Sequence, residues 1–144
     1  MPLIIPNSLP AAGALQSENI FTMDRARAVS QDIRPLKIVI VNLMPTKIAT
    51  ETQLARVLAN SPLQVEMTLV TMDSHESTHI SQEHMESFYK TLDEIKEDYF
   101  DGMILTGDPV EQMPFEQVDY WQELCVIFEC AKTQVYSSML IFCG

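Results

Sequence analysis

Four apolar runs, separated by helix-like segments, limit what this sequence can fold into. The first, LKIVIVNL, is continuous and rich in Val and Ile, as expected of a strand that is buried on both faces of a sheet. In the second run, QVEMTLVTM, polar and apolar residues alternate at first, and the later residues are mostly apolar. The third and fourth runs are FDGMILTG and VYSSMLIFCG. The four predicted strands cover residues 36–43, 64–72, 100–107 and 135–144.

A segment with helical periodicity fills each interval between these strands. The predicted helices cover residues 48–59, 82–97 and 116–132. Strands that alternate with helices over short connections form βαβ units with right-handed crossovers, which place helices on both faces of a parallel sheet. The sequence therefore predicts a three-layer, flavodoxin-like α/β fold, truncated after the fourth strand.

Residues 1–35 differ in character from the rest of the chain. Prolines stand at positions 2, 6, 10 and 35, and neither a strand nor a helical period is sustained. The sequence predicts an irregular N-terminal arm with one short helix. We therefore divide the chain into this arm and an α/β domain over residues 36–144.

The balance of charge excludes two classes of partner. The chain has 9 basic and 20 acidic side chains and a net charge of −11, whereas nucleic acids and anionic membranes are bound by clustered Lys and Arg. The N-terminus lacks the basic start and unbroken apolar stretch of a signal peptide. No apolar run approaches the ~18 residues that a membrane span needs. We expect a cytoplasmic protein that binds neither nucleic acid nor membrane.

The three cysteines, Cys125, Cys130 and Cys143, do not indicate a disulfide framework or a zinc knuckle, because their number is odd and no C-x-x-C occurs. Cys125 and Cys130 fall on the third predicted helix, roughly 140° apart around its axis. We expect both to be buried small apolar residues.

Residues 75–79, HESTH, match the H-E-x-x-H pattern of zinc peptidases. That site needs both histidines on one face of a helix. The pentapeptide lies instead in a polar stretch before a helix for which Ser81 is a candidate N-cap, and its Ser and Thr suit a loop. We interpret HESTH as a chance match in a solvated loop and predict no metal site. A zinc peptidase is the alternative that this motif leaves open.

Chemically useful side chains gather at one edge of the predicted sheet. Ligands bind beyond the carboxyl ends of parallel strands, where the loops carry Lys47, Asp108, Glu111 and Cys143. Thiol acyl transfer, with a lysine and loop N–H groups stabilising the oxyanion, is the chemistry that these residues could share. The structural alternatives are a surface lysine, solvated acids and a buried thiol.

The homoserine O-acyltransferases of methionine biosynthesis, which include O-acetyltransferases and O-succinyltransferases, resemble this chain in several long stretches. These are IRPLKIVIVNLMPTKIATETQLARVLANSPLQVEM, EHMESFYKTLDEI, FDGMILTGDPVE and VDYWQELC, with the opening MPLIIP and SENIFTM. NLMPTK and the FDG-x-I-x-TG-x-PVE stretch are the specific motifs. The resemblance covers essentially the whole chain and implies a class I glutamine-amidotransferase-like fold, with residues 36–144 as the N-terminal part of an acyltransferase domain.

The resemblance also implies a ping-pong reaction. A cysteine thiolate takes the acyl group from acyl-CoA and passes it to the hydroxyl of L-homoserine, with a histidine as base and a glutamate that orients it. In the family, the lysine of NLMPTK, here Lys47, helps to form the oxyanion site. Glutamate at the position of Glu111 goes with acetyl-CoA, and glycine goes with succinyl-CoA. The implied substrates are acetyl-CoA and L-homoserine, without a separate cofactor, and the full-length enzyme is expected to be a homodimer.

Near residue 144 the sequence departs from the family pattern. The family's fourth strand ends in Cys-Trp followed by Gly or Ala, but counted without gaps from YWQEL the cysteine position is Phe142, and Cys143 takes the place of the tryptophan. A shift of one residue turns a strand side chain to the opposite face. Either a slip near SSML restores Cys143 as the nucleophile, or the nucleophile is absent. Asp108 replaces the alanine of the family's TGAP, and a carboxylate near a thiol opposes thiolate formation.

The histidine and glutamate of the family's triad belong to a C-terminal half beyond residue 144. His75, His79 and His84 follow the second strand and do not take their place. We therefore expect an N-terminal fragment that does not catalyse the complete reaction alone. A non-catalytic α/β binding or interaction module is the alternative for this short chain.

Overall fold

A sheet of parallel strands forms the centre of the molecule. The computed structural model describes residues 3–30, 34–44, 46–72, 82–107 and 121–141. The strands in these ranges are β1 (Leu3–Ile4), β2 (Thr22–Met23), β3 (Leu36–Val41), β4 (Val65–Val70), β5 (Tyr89–Lys90), β6 (Phe100–Leu105) and β7 (Val135–Leu140). The helices are α1 (Pro10–Ser17), α2 (Arg25–Val29), α3 (Lys47–Ala59), α4 (Gln82–Phe88), α5 (Leu92–Ile95) and α6 (Trp121–Gln134).

The four long strands confirm the predicted fold class. They run β4-β3-β6-β7 across the sheet, which is the order 2-1-3-4 along the chain and the flavodoxin-like arrangement. β3 pairs in parallel with β4 on one side and with β6 on the other. The prediction of only four strands is wrong, because β1, β2 and β5 also join the sheet. A strand of two residues is too short to show the alternation of apolar and polar residues that predicts a strand.

Helices cover both faces of the sheet, as predicted. α1 and α3 pack on the face that includes Ile40 and Met67. α5 and α6 pack on the face that includes Val39, Val41 and Met103. Successive residues of β3 thus enter opposite cores, which is the alternation expected of a strand. Over the described ranges, no helix is long and apolar enough to cross a membrane.

The first 35 residues are more regular than predicted. β1 and β2 extend the sheet beyond β4, and α1 buries Ala11, Ala12 and Leu15 in the core. The expectation of an irregular arm with one short helix is therefore wrong. Pro10, which suggested irregular chain, is the first residue of α1, where the missing N–H costs no hydrogen bond. The domain division at residue 36 stays a prediction.

The predicted helix over residues 82–97 is interrupted. α4 ends at Phe88, Tyr89 and Lys90 form β5 beside β4, and α5 begins at Leu92. The prediction of one continuous helix is wrong. The pattern of apolar residues is helical across the whole segment, but tertiary contacts override it, and they place Tyr89 in a buried position at the sheet.

The outer side of α6 and most of β7 are open to solvent. Ile127 of α6 is buried, but Cys125 is exposed and Cys130 is partly exposed. The prediction that both thiols are buried is wrong, since α6 packs on the core through Ile127 together with Trp121, Leu124, Phe128 and Ala131. Tyr136 of β7 is 84% exposed, and its neighbours up to Leu140 are exposed as well. β7 lies at the end of the sheet opposite β2.

Asp101, near the start of β6, connects this strand to β3 and the chain before it. Its carboxylate accepts hydrogen bonds from the Lys37 backbone N–H and from the Arg34 guanidinium, each at 2.9 Å. The bond from the Lys37 N–H has the larger effect and the bond from Arg34 the next, and together they hold the pKa of Asp101 below its ordinary value of 3.8. We expect Asp101→Asn to lower the free energy of unfolding by about 1 kcal/mol in urea titrations at neutral pH.

The effect of Asp101→Asn should depend on pH. Because the folded pKa is depressed, the stabilisation is present above the ordinary value of 3.8 and is lost as the pH falls through the folded pKa. Asp93→Asn is the matched control, since its side chain is 77% exposed, and its effect should stay below about 0.5 kcal/mol. Equal losses for the two variants, or a difference that persists in acid, would contradict the role of Asp101.

Candidate active site

The candidate site lies where the connections of the sheet change sides. β3 and β6 are neighbours, but β3 leads into α3 on one face, whereas α6, which follows β6, packs on the other. Such a switch point opens a crevice beyond the carboxyl ends of the two strands. Thr106 ties these ends together. Its hydroxyl accepts a hydrogen bond from the Leu43 N–H at 2.7 Å, and its own N–H donates to the Val41 carbonyl at 3.0 Å.

Lys47, the predicted oxyanion lysine, is the first residue of α3 and is only 2% exposed. Its Nζ donates to the Asn42 carbonyl at 2.6 Å and to the Met44 carbonyl at 3.3 Å, and it lies 5.7 Å from the centroid of the Tyr89 ring. The partial positive charge of a helix N-terminus disfavours a cation, and the two carbonyls and the ring face offset that repulsion. The structure therefore has a buried ammonium at the switch point and not a surface lysine.

A chain of hydrogen bonds connects the β3–α3 loop to a buried carboxylate. The Met44 N–H donates to Asn42 Oδ1 at 3.2 Å, and Asn42 Nδ2 donates to the Tyr89 hydroxyl at 2.9 Å. The Tyr89 hydroxyl in turn donates to Glu51 Oε1. His84 Nε2 lies 3.0 Å and 3.2 Å from the two oxygens of Glu51. α3, α4, β5 and the loop after β3 thus meet in one buried polar cluster, which we call the Glu51 cluster.

The Tyr89 hydroxyl is a fixed donor in this cluster. Burial, followed by the nearby Glu51 carboxylate, raises the pKa of Tyr89 far above its ordinary value of 10. The phenol therefore stays protonated across the physiological range. It can hold the Glu51 carboxylate in place, but it cannot accept a proton from a substrate.

Sequence reasoning proposed Lys47 as a site residue, and its catalytic role stays a prediction, but it did not propose Glu51, Tyr89 or His84. Lys47, Glu51 and Ala55 are the buried residues of α3, and their spacing of four places them on one face. That spacing was the available signal. It was masked by residue type, because two charged side chains on a helix normally indicate a solvated face.

Other predicted site residues lie outside the described residues. They are the nucleophile candidate Cys143, the acyl-donor residue Glu111, the neighbouring Asp108 and the HESTH segment at 75–79. The prediction that Asp108, Glu111 and Cys143 share one edge of the sheet with Lys47 therefore stays a prediction. Within the part of the chain that the structure describes, no group of three or more His, Cys, Asp or Glu side chains could hold a metal ion.

The fold and the site together define the class of protein. A parallel sheet in flavodoxin-like order is characteristic of α/β domains, whose ligands bind beyond the carboxyl ends of the strands at a switch point. The model of one family, described as homoserine O-succinyltransferase, matches residues 2–144. This chain belongs to that family, as the motifs NLMPTK and FDGMILTGDPVE predict.

Several curated relatives are named homoserine O-acetyltransferase. The protein of Streptococcus thermophilus is 58% identical over 144 residues, which are all of this chain and 46% of the relative. That of Desulfovibrio desulfuricans is 62% identical over 141 residues, 98% of this chain and 45% of the relative. That of Catenibacterium mitsuokai is 60% identical over 141 residues, with the same coverage. The chain thus spans slightly under half the length of these relatives.

Tyr89→Phe tests the Glu51 cluster. Removal of the hydroxyl takes one partner from Asn42 Nδ2 and one from the Glu51 carboxylate in a site closed to water, which should cost about 1–3 kcal/mol of unfolding free energy. Tyr136→Phe removes the hydroxyl of a tyrosine that is exposed in β7, and this matched control should change the stability by less than about 0.5 kcal/mol. Equal losses in urea titrations would contradict the buried arrangement.

Alkaline pH gives a second readout for the same variant. The folded pKa of Tyr89 is raised above the ordinary value of 10. Its contribution to stability is therefore fully present below that value and is lost as the pH rises toward the folded pKa. The parent chain should lose stability above pH 10 more steeply than Tyr89→Phe, and parallel stability curves for the two proteins would contradict the shift.

Proposed function

We propose that this chain forms the N-terminal part of a homoserine O-acyltransferase that transfers an acetyl group from acetyl-CoA to the hydroxyl of L-homoserine. The family match over residues 2–144 supports the reaction class. The structural observation that carries the proposal is the buried ammonium of Lys47 at the switch point. A fixed positive charge beside the carboxyl edge of the sheet is suited to an oxyanion that develops there.

Cys143 is the proposed nucleophile. Its thiolate attacks the carbonyl carbon of the thioester, and the bond from that carbon to the CoA sulfur breaks to give an acyl-enzyme and free CoA. The hydroxyl of homoserine then attacks the acyl-enzyme, gives its proton to a base and regenerates the thiolate. Cys143 follows β7, which lies two strands away from β3, so the ends of the two strands are about 10 Å apart along the same edge.

Acyl transfer itself is the first test. We expect the 144-residue chain alone not to acylate homoserine, since it spans under half the length of its relatives. Joined to the remaining part of the Streptococcus thermophilus relative, it should form O-acetylhomoserine and carry an acetyl group on Cys143 in mass spectra. Cys143→Ser should abolish both, whereas Cys125→Ser, at an exposed helix position, should abolish neither.

The outcomes of this test distinguish an acyltransferase from a non-catalytic binding module. O-acetylhomoserine from the 144-residue chain alone would contradict the need for the remaining part. CoA binding by the joined protein without an adduct on Cys143 would support a non-catalytic binding module. Loss of the adduct in Cys125→Ser would contradict the assignment of the nucleophile.

Acetyl-CoA is the proposed donor, although the family model is named after succinyl transfer. The relatives at 56–62% identity are named acetyltransferases, and the carboxylate of Glu111 would repel the carboxylate of a succinyl group. In the joined protein, Glu111→Gly should raise the ratio of kcat/KM for succinyl-CoA to that for acetyl-CoA by about tenfold or more. Glu97→Gly, at an exposed position, is the matched control, and an unchanged ratio in Glu111→Gly would contradict the assignment.

A further inference from the structure

We propose that Glu51 is a positioning residue for the Lys47 ammonium and acts through Tyr89 and Asn42. The catalytic use of Lys47 rests on the function proposed above, whereas the hydrogen-bond chain does not. Glu51 and Asn42 are fully buried, and Tyr89 and His84 are nearly so. None of these residues is the proposed nucleophile or the proposed acyl-donor residue, so their burial calls for a separate physical reason.

One series of hydrogen bonds in the Glu51 cluster runs toward the carboxylate, while Asn42 Nδ2 also lies 3.5 Å from the Lys47 backbone carbonyl, to which it donates. A backbone N–H and an amide NH₂ can only donate, and an ionised carboxylate can only accept. The Met44 N–H therefore donates to Asn42, Asn42 Nδ2 donates to the Tyr89 hydroxyl, and that hydroxyl donates to Glu51. The carboxylate is the last acceptor, and it fixes the orientation of each donor before it.

The same chain fixes the groups that hold Lys47. The Lys47 ammonium donates to the carbonyls of Asn42 and Met44, and the side chain of Asn42 bonds both to the Met44 N–H and to the Tyr89 hydroxyl. The Tyr89 ring lies beside the ammonium. The backbone of Asn42 is held separately, since its N–H donates to the Val70 carbonyl at 3.1 Å. If Glu51 no longer accepted the bond from Tyr89, the hydroxyl and the Asn42 amide could both turn, and the Met44 carbonyl would lose its fixed position.

His84 fixes the carboxylate from its other side. Its Nε2 is within hydrogen-bond distance of both oxygens of Glu51, and the edge of its ring packs on Phe88, with 4.9 Å between the ring centroids. Because an ionised carboxylate only accepts, Nε2 must carry a hydrogen in this arrangement. Glu51 also places a negative charge one helical turn from the Lys47 cation, which offsets part of the cost of burying each.

The experiment begins with nuclear magnetic resonance of the 144-residue chain. Long-range spectra that correlate ring protons with ¹⁵N should show a hydrogen on His84 Nε2, with His84→Gln used to assign the signals. Glu51→Gln should speed hydrogen exchange of the Met44 amide about tenfold or more, because its acceptor is no longer held. Glu94→Gln, at an exposed position, should leave that exchange unchanged.

Kinetics of the joined protein then test whether Glu51 acts through Lys47. Glu51→Gln should lower kcat about tenfold or more with little change in KM, since a misplaced group costs the transition state more than the bound substrate. In a Lys47→Met background the same change should have almost no further effect. A merely structural role would give equal losses in both backgrounds.

Each outcome of these experiments supports or overturns the proposal. An unprotonated His84 Nε2, an unchanged Met44 amide in Glu51→Gln, or equal kinetic losses in both backgrounds would overturn it. If Glu51→Gln does not fold, Tyr89→Phe breaks the chain one bond earlier and should give the same change at Met44. If the joined protein transfers no acyl group, the proposed function fails, and the spectra still decide the positioning role.

Discussion

The buried carboxylate of Glu51 sets the arrangement of the elements around it. A buried carboxylate must accept hydrogen bonds from donors. Otherwise the free-energy cost of removing its charge from water exceeds the stabilisation that packing provides. Here the donors are Tyr89 and His84, which come from β5 and α4. In one continuous helix these two residues would point about 140° apart and could not both reach one carboxylate. The break after Phe88 brings them together, so a polar requirement accounts for the interruption of an otherwise helical pattern.

The buried ammonium of Lys47 likewise needs groups that compensate its charge. An ammonium at the first position of a helix is disfavoured by the helix dipole, and burial adds a further cost. Two loop carbonyls, the ring face of Tyr89 and the carboxylate one turn along α3 together make the position tolerable. The β3–α3 loop is thereby tied to its own helix and, through Asn42 and Tyr89, to β5. A rigid loop at a switch point is suited to holding a charge toward a ligand.

The sequence was sufficient where a single element carries its own pattern. The run LKIVIVNL could be assigned to a buried parallel strand because strand residues alternate between two apolar cores. The carboxyl-edge rule and the motif NLMPTK both pointed to Lys47. β1, β2 and β5 could not be found, because two residues show no period and their pairing depends on distant chain. The partnership of Glu51 with His84, 33 residues away, has no local signature at all, and the charges on α3 suggested a solvated face.

The two parts of the proposed reaction depend on different parts of the structure. Lys47 contacts the carbonyls of Asn42 and Met44 and the ring of Tyr89, and it is buried. Cys143 follows β7, whose residues are largely open to solvent, although parallel strands are normally covered on both faces. A thiol becomes a thiolate near neutral pH only beside a cation or a helix N-terminus that lowers its pKa. Activation of the proposed nucleophile therefore requires a cation or a helix N-terminus beyond β7, whereas the proposed position of the Lys47 ammonium depends on the Glu51 cluster, and the two properties can be measured separately.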